Sequence, residues 1–189
     1  VNGKGTLLTS EECLMHPSIQ VRNAHFTKAD YEAVFKEYLG VTNVIWVGDG
    51  IEGDDTHGHI DDLCRFVNED TIVTIIEEDK KDANYQPLQD NFQRLQKSKL
   101  ENGQAPKIVS LPMPKRLDFE GLRLPASYAN FLILNHCVLV PTFNDSKDRI
   151  ALNILADCFP GREIIGINAT DFIWGFGTLH CLSQQIPFE

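Results

Sequence analysis

Two short segments of the sequence hold the residue types needed to attack a positively charged carbon. Residues 54–61 read DDTHGHID and place His59 two positions before Asp61, and residues 174–181 read WGFGTLHC and end in Cys181. A thiol nucleophile, an imidazole that transfers protons and a carboxylate that holds a cation are the groups required for covalent catalysis by a cysteine. The sequence therefore predicts nucleophilic catalysis, provided that the fold brings the two segments together.

The spacing of His59 and Asp61 predicts that both side chains project from one face of a strand, because residues i and i+2 of a strand share a face. Histidine is the side chain most readily tuned to transfer protons near neutral pH. Asp61 could orient the imidazole ring or bind a cationic group directly. The simpler interpretation of a lone His-x-Asp pair, a polar strand start with a solvated acid, stays open.

A zinc site is the competing interpretation, because His57, His59 and Asp61 present three metal-type ligands at alternate positions. This pattern resembles the zinc-binding loop of metallo-β-lactamase-type hydrolases. That loop usually follows an apolar strand and continues with another histidine, whereas residues 50–55 read GIEGDD and Asp62 comes next. The other histidines show no obvious ligand spacing, so we expect a site without metal.

Cys181 follows a bend that contains Gly175 and Gly177, which allow positive φ angles and a close approach of the backbone to a ligand. We expect Cys181 to open a strand that runs to Gln185. A nucleophilic thiol must be partly exposed and needs a nearby cation to stabilise its thiolate, which a cationic substrate can supply. A structural role for Cys181 taken alone stays open. The remaining cysteines lie in apolar or helical contexts and are predicted to pack in the core: Cys13, Cys64, Cys137 and Cys158.

A third segment, residues 123–130, reads RLPASYAN and precedes a stretch that looks buried. We interpret it as a structured loop with a buried Tyr128 and Asn130, and we assign it no direct catalytic role.

The composition narrows the class of protein. The chain of 189 residues has a formal net charge of −10, which disfavours binding to nucleic acid and could attract a small cationic substrate. Five cysteines without the spacing of a zinc knuckle indicate reduced thiols and hence the cytoplasm. No apolar run is long enough to cross a membrane, and no signal peptide is apparent. Because the chain starts at Val1 without a methionine, we expect that upstream sequence is omitted.

The predicted elements recur in the order strand, strand, helix, strand, which indicates an α/β fold. The first full unit is predicted as a hairpin at 60–66 and 71–76, a helix at 83–99 and a strand at 107–111. The second is predicted as a hairpin at 128–134 and 138–141, a helix at 147–159 and a strand at 164–167. An incomplete first unit comprises a strand at 5–8, a helix capped by Thr27 that ends at Gly40, and a strand at 44–47. Such units suggest an arrangement around an axis, although a generic mixed sheet stays open.

Together, the three motifs resemble those of the agmatine deiminase family, which includes the bacterial-type peptidylarginine deiminases. The resemblance covers essentially the whole chain and keeps the family's order of motifs. It implies the pentein fold, an α/β propeller of five strand-strand-helix-strand modules. Residues 1–189 would then form about half of that ring, as a partial deiminase domain from the C-terminal half with no second domain.

The resemblance also implies roles for individual residues. Cys181 would attack the guanidinium carbon, and His59 would protonate the departing ammonia and then activate water. Asp61 would bind the guanidinium nitrogens, and Asp55 would contribute to the wall of the substrate site. The reaction would convert agmatine to N-carbamoylputrescine through a covalent thiouronium, without a metal or organic cofactor, in an enzyme that is often a homodimer. Phe176 departs from the family motif, which usually has glycine there.

Two alternatives to agmatine deimination remain after this comparison of motifs. A peptidylarginine deiminase would use the same residues on a larger substrate. A catalytically silent binding module of the same fold would have no need of His59, Asp61 and Cys181 together.

Overall fold

The computed structural model of the chain describes residues 1–186. Its strands are β1 (Thr6–Ser10), β2 (Asn43–Val47), β3 (Cys64–Phe66), β4 (Thr71–Ile76), β5 (Lys107–Pro112), β6 (Asp118–Phe119), β7 (Leu122–Arg123), β8 (Leu132–Ile133), β9 (Cys137–Thr142) and β10 (Glu163–Asn168). Its α-helices are α1 (Glu11–Met15), α2 (Lys28–Leu39), α3 (Tyr85–Lys97) and α4 (Asp148–Cys158), and 3₁₀ helices cover Ile60–Asp62 and Phe172–Gly175.

The predicted order of elements is confirmed in two units. In the first, β3 pairs antiparallel with β4, and β4 pairs parallel with β5 across the crossover helix α3. In the second, β8 pairs antiparallel with β9, and β9 pairs parallel with β10 across α4. The incomplete first unit pairs β1 parallel with β2. A parallel pair needs a long crossover connection, which explains why a helix separates its two strands in every unit.

The central strands form because their sequences are apolar on both faces. In β4 and β9 the side chains of Ile72, Ile75, Val138 and Val140 are fully buried. Helix α3 covers β2 and β4 with the buried face formed by Leu88, Asn91 and Leu95, which lie at helical spacing. The apolar side chains among them belong to one continuous hydrophobic core.

The ends of α2 agree with the sequence prediction. The side chain of Thr27 accepts a hydrogen bond from the backbone N–H of Asp30, and the Asp30 carboxylate accepts one from the backbone of Thr27. Gly40 ends the helix in the left-handed conformation with φ of 68°. The predicted cap and the predicted stop are both confirmed.

Two predicted strands are wrong in part, and the strand predicted from Cys181 to Gln185 is wrong, because none forms there. Residues 60–62 form a 3₁₀ turn, so the strand predicted at 60–66 is reduced to β3, and His59 and Asp61 do not share a strand face. The strand predicted at 128–134 is reduced to β8, because Ser127 and Tyr128 bind partners elsewhere in the fold, the carbonyl of Asp62 and the carboxylate of Asp148. The chain turns at Cys181 and continues without strand structure to Ile186.

The segments predicted to carry chemistry follow the carboxyl ends of parallel strands. Residues 48–59 follow β2, and residues 169–181 follow β10. This edge of an α/β sheet is where ligands usually bind, because loops from several strands converge there. No helix in residues 1–186 combines the length and the apolar character required to span a membrane.

Candidate active site

The histidine segment is shaped by the carboxylate of Asp54. This buried side chain accepts hydrogen bonds from the backbone N–H groups of Thr56 at 2.8 Å, Gly58 at 2.8 Å and His59 at 3.0 Å. Aspartate often folds the following residues into a turn in this way. The turn passes through positive φ angles at His57 and Gly58 and delivers His59 to the start of the 3₁₀ helix.

The same segment is fixed to the end of β1. The hydroxyl of Ser10 donates to the carbonyl of Gly58, and the carboxylate of Glu12 accepts the N–H of Gly50. Gly50 and Gly58 approach so closely that a Cβ atom on Gly50 would lie 2.5 Å from the Gly58 Cα. No larger residue fits there without displacing the turn, which explains both glycines.

Asp61 is the residue at which the two segments meet. Its Oδ2 lies 3.4 Å from the Cys181 sulfur and 2.7 Å from Nδ1 of His180, and its Oδ1 lies 4.0 Å from Nδ1 of His59. The 3₁₀ turn buries Asp61, whereas 40% of the His59 side chain is exposed. The structure therefore brings Cys181, His59 and Asp61 around one carboxylate, by a turn rather than by the strand face that the spacing predicted.

Asp55 lies apart from this cluster. It is exposed, its backbone carbonyl accepts a hydrogen bond from the Gln20 side chain, and it borders a cavity of about 350 Å³. Glu52, Arg123 and Phe176 also line that cavity. The predicted role of Asp55 in substrate binding stays a prediction.

Asn130 is one of three site residues that the sequence did not reveal. Its side-chain nitrogen donates to Asp62 Oδ1 at 2.9 Å, to the Cys181 sulfur at 3.0 Å and to Asp61 Oδ2 at 3.2 Å. Its side-chain oxygen accepts from the hydroxyl of Thr178 at 2.8 Å and from the N–H of His180 at 3.0 Å. The prediction that Asn130 is buried is confirmed, and burial was the available signal, because a buried amide must find polar partners.

His180 and Asp62 were also missed. His180 precedes Cys181 directly, and its imidazole bonds Asp61 from the opposite segment. Asp62 is buried beside Asp61 at the end of the 3₁₀ turn. Asp61 and Asp62 lie between apolar residues, and no periodic pattern distinguished this segment from a strand.

The cluster disfavours a thiolate in the absence of a cation. Although residue Cys181 is exposed as a whole, desolvation of its sulfur and the charges of Asp62 and Asp61 raise the pKa of the thiol to about 12. Burial and the charges of Asp61 and Asp54 raise the pKa of Asp62 well above its ordinary value. Burial opposes ionisation of Asp61, but the hydrogen bond and charge of His180 outweigh it and lower the pKa of Asp61. A cation bound here would favour both the carboxylates and the thiolate.

The three ligands of the zinc alternative do not face a common point. His57 Nδ1 lies 3.6 Å from Glu12 and its ring packs near His16, whereas His59 lies against Asp61. Within residues 1–186, one group of potential ligand atoms lies within 4.8 Å of one another, and it comprises Asp61, Asp62 and Cys181.

The place that an ion would take in this group is already filled. All three ligand atoms accept hydrogen bonds from the side-chain nitrogen of Asn130, so an amide group faces the position between them. The described residues therefore fit a metal ion poorly at either cluster, because His57 is turned away and Asn130 blocks the other.

Phe176 adopts a backbone conformation that suits glycine. Its φ of 58° lies in the left-handed region, which bulky residues rarely adopt. It ends the second 3₁₀ helix, and its side chain packs against the core. The phenylalanine is thus held in a backbone conformation that glycine would adopt without strain.

Comparison with known families identifies the chain. The model of the Porphyromonas-type peptidyl-arginine deiminase family matches residues 1–187. The chain belongs to this family. A curated relative from Legionella pneumophila (strain Paris), named "Putative agmatine deiminase", is 38% identical over 188 residues, which cover 99% of this chain and 54% of the relative.

Solved structures of this family have the same fold. The agmatine deiminase of Enterococcus faecalis superimposes with a TM-score of 0.91 at 36% identity, over 99% of this chain and 55% of that one. A cysteine-to-serine variant of the C. jejuni agmatine deiminase with substrate bound gives a TM-score of 0.87 at 39% identity. The match covers 95% of this chain and 52% of that one. The chain thus spans about half the length of the relatives it matches.

Proposed function

We propose that the chain carries the catalytic cysteine and histidine of a guanidine-deiminating hydrolase that converts agmatine and water to N-carbamoylputrescine and ammonia. The observation that carries the proposal is the position of Asp61, whose two carboxylate oxygens face the Cys181 thiol and the His59 imidazole. A guanidinium held by this carboxylate would lie between the nucleophile and the proton donor. The agmatine deiminase structures of the family support this substrate class.

The proposed first half-reaction forms a covalent intermediate. The guanidinium is planar and cationic, so a carboxylate can bind its N–H groups and fix the carbon in front of the sulfur. Its charge also favours ionisation of Cys181, which the two acids otherwise oppose. Cys181 passes its proton to His59 and its sulfur bonds to the carbon, after which the carbon–nitrogen bond breaks and ammonia leaves with that proton from His59. The product of this step is a thiouronium on Cys181.

The second half-reaction releases the ureido product. His59, now neutral, accepts a proton from water as the water oxygen bonds to the thiouronium carbon. The carbon–sulfur bond then breaks and returns the electron pair to Cys181, whose sulfur takes the hydroxyl proton as the neutral ureido group forms. Two steps of moderate difficulty replace direct attack of water on a delocalised cation, which is the advantage of covalent catalysis.

The wider architecture belongs to the same proposal. We infer that the units described above form about half of a five-module propeller of the pentein type. All five cysteines are free thiols, which supports a cytoplasmic location. The homodimer that the family resemblance implies stays a prediction.

The test is conversion of agmatine by two preparations, because the chain spans about half of its relatives. One is the chain itself, and the other is a fusion in which the chain replaces the matched part of the Legionella relative. We expect the fusion to release ammonia and a ureido product, and we expect Cys181→Ala to abolish both. Cys158→Ala is the matched control, since Cys158 is a free cysteine on α4 outside the cluster. Turnover that survives Cys181→Ala would refute the mechanism.

Peptidylarginine deimination is the second candidate, because the matching family model carries that description. A peptide with an internal arginine, supplied to the fusion in parallel with agmatine, distinguishes the two. Deimination of the peptide alone would replace agmatine as the substrate and leave the roles of Cys181 and His59 unchanged. Loss of turnover on addition of a chelator would instead support the zinc alternative.

A further inference from the structure

The short hairpin of β6 and β7 contacts both parts of the chain that carry the proposed chemistry. The two strands pair antiparallel, and the turn residues Glu120 and Gly121 have the positive φ angles, 50° and 82°, of a tight two-residue turn. A hydrogen bond of 2.9 Å from the N–H of Leu124 to the carbonyl of Leu117 closes its base. The hairpin is therefore a small unit whose contacts can be removed one at a time.

The base of the hairpin is fixed to the residues that lead into the histidine segment. The side chain of Arg123 is 3% exposed, and its Nη1 lies 3.0 Å from Oε2 of Glu52 and 2.7 Å from Oδ1 of Asp82. The backbones also meet, because a Cβ atom on Gly53 would lie 2.2 Å from the carbonyl oxygen of Arg123. Separating a buried ion pair leaves a charge without a partner, so the base is firmly held.

The hairpin is fixed to the cysteine segment by an aromatic stack. The rings of Phe119 and Trp174 have centroids 4.2 Å apart and planes inclined by 21°. Phe119 is 37% exposed and Trp174 is 54% exposed, so each ring covers one face of the other and leaves the remainder in solvent. Nearly parallel aromatic rings attract one another beyond the area that they bury. The stack joins β6 to the 3₁₀ helix that precedes Cys181.

The bend at residues 175–177 connects this helix to the nucleophile and lies directly against it. A Cβ atom on Gly177 would lie 2.8 Å from the Cys181 Cβ and 3.3 Å from its sulfur. Phe176, in the same bend, has the left-handed φ of 58°. A strained residue of this kind persists only where its surroundings fix the backbone. The position of the bend relative to the sulfur therefore depends on what holds its two ends.

Each end of the bend is held by a different contact. At the far end, the buried hydroxyl of Thr178 is hydrogen-bonded within the fold. At the near end, Ile173 is 1% exposed and anchors the 3₁₀ helix in the core. An anchor at one residue leaves the helix free to rotate about that residue. The stack of Phe119 on Trp174 is a second contact of the same helix, and it removes that freedom.

We propose that the β6–β7 hairpin holds the histidine and cysteine segments together, and that Phe119 and Trp174 are positioning residues for the bend that lies against Cys181. The proposal rests on the proposed function only for the reaction in which the thiol is used. The position of the bend is measured through the thiol and through the indole, without turnover.

Three variants of the hairpin separate the stack from the rest of the surface. Phe119→Ala removes the stack and leaves both segments unchanged in sequence. Phe119→Tyr is the rescue variant, because it keeps a ring that can stack. Leu122→Ala is the matched control, since Leu122 lies opposite Phe119 in the hairpin and is 60% exposed, but is not part of the stack. For fluorescence, all are made in Trp46→Phe, which leaves Trp174 as the sole tryptophan.

The first measurement is the quenching of Trp174 fluorescence by acrylamide in the purified chain. Phe119→Ala is expected to raise the quenching constant, because the covered face of the indole becomes accessible. Phe119→Tyr and Leu122→Ala are expected to keep the value of the parent. A constant that Phe119→Ala leaves unchanged, or that Leu122→Ala raises as much, would overturn the proposal.

The same signal tests whether the hairpin transmits a change from the histidine side. Glu52→Ala removes a carboxylate that pairs with both Arg123 and Arg116, so the base of the hairpin should loosen and the quenching of Trp174 should rise. Glu69→Ala is the control, because it also removes an exposed acid from an ion pair, with Lys4. Equal quenching in these two variants would overturn the link to the histidine segment.

The second measurement is the rate of Cys181 alkylation by iodoacetamide at pH 8, with the modified peptide identified by mass spectrometry. Phe119→Ala is expected to raise this rate by about two- to tenfold, the factor that an aromatic pair contributes to an equilibrium, because the released bend uncovers the sulfur. Phe119→Tyr and Leu122→Ala are expected to react at the rate of the parent. A merely structural role of Phe119 would lower the melting temperature and leave the rate unchanged, and that result would overturn the proposal.

If Phe119→Ala does not fold, Phe119→Leu takes its place, because it keeps an apolar side chain and removes the stacking ring. The same increases in quenching and in alkylation rate are then expected, and their absence would overturn the proposal. None of these results depends on deimination, so failure of the proposed function is a separate outcome.

Discussion

The two segments that carry the proposed chemistry are held in place by different means. The histidine segment contains its own organiser, because Asp54 binds the backbone only two to five positions ahead of it. The cysteine segment is organised from outside, by the Asn130 side chain 51 positions before Cys181. The Asp54 turn rests mainly on contacts that are close in sequence, although Ser10 also holds Gly58, whereas the cysteine segment depends on a distant loop. The comparison predicts that damage to the two segments has different consequences.

The largest effect is expected where the segments meet. Asp61→Asn keeps the shape of the side chain and removes the charge that would hold a guanidinium, so turnover of agmatine by the fusion should fall by about 10²–10³-fold. The same change removes a charge that raises the pKa of Cys181. Alkylation by neutral iodoacetamide at pH 8 should therefore become faster, while the cationic reagent 2-chloroacetamidine should lose its advantage over iodoacetamide.

The control for this prediction is Asp157→Asn, since Asp157 is an exposed acid beside Cys158 rather than Cys181. It should leave both alkylation rates at Cys181 unchanged. A ratio of the cationic to the neutral rate that is unchanged or larger in Asp61→Asn would mean that Asp61 does not attract cations to the thiol.

The next effect concerns the stability of the histidine segment. Asp54→Ala leaves three backbone N–H groups without their acceptor, and we expect the free energy of unfolding to fall by on the order of 3 kcal/mol. The neighbouring exposed variant Asp55→Ala should change it by less than about 0.5 kcal/mol. Denaturant unfolding of the two variants and the unmodified chain makes this comparison, and equal losses would show that Asp54 does not organise the turn.

A smaller effect, with a defined pH dependence, is expected at Asp62. Burial raises its pKa in the folded chain above the ordinary value of 3.8, so the folded state holds the proton more tightly than the unfolded state. Below pH 3.8 both states are protonated and Asp62 causes no loss; as the pH rises above that value, stability is progressively lost until the folded pKa is passed. Asp62→Asn should therefore stabilise the chain at pH 8 by at least about 1 kcal/mol, the value of a one-unit shift.

Thermal melts of Asp62→Asn and the unmodified chain at pH 8 and pH 4 test this sign. The gain should be larger at pH 8 than at pH 4. A gain that is larger at pH 4 would mean that the Asp62 carboxylate stabilises the folded chain.

The smallest effect is expected at the bend of the cysteine segment. Because Phe176 has a left-handed backbone, Phe176→Gly should be more stable than Phe176→Ala by about 1 kcal/mol, although both lose the packing of the ring. Gly175, whose φ is not positive, supplies the control: Gly175→Ala should not be destabilised by this cause. A Phe176→Gly variant no more stable than Phe176→Ala would remove the argument for strain at this bend.

The contrast between local and distant contacts also explains which elements could be predicted from the sequence. The strand at 71–76 was predicted with its observed bounds, and the helix predicted at 83–99 is α3 over Tyr85–Lys97, because periodicity and apolar runs are local signals. Residues 60–62 were predicted as the start of a strand at 60–66, because they lead directly into apolar residues. The 3₁₀ turn forms there because Asn130 and Ser127 bind Asp62 from a distant loop.

The residues of the site divide in the same way, into those found from local motifs and those defined by distant partners. His59, Asp61 and Cys181 were found from short motifs, and the resemblance to a known family supplied their pairing. Asn130 was predicted as a buried loop residue, since no local pattern indicates which distant groups a buried amide will bind. His180 was missed for the same reason, because its partner Asp61 lies 119 positions earlier.

The most direct test of the account is to observe the covalent intermediate. The fusion is incubated with agmatine, quenched in acid within the turnover time, digested, and searched by mass spectrometry for a peptide that carries agmatine less ammonia. The account predicts this adduct on Cys181 and its loss in Cys181→Ala. Release of ureido product by a fusion whose Cys181 peptide remains unmodified at every quench time, with undiminished turnover in Cys181→Ala, would contradict it.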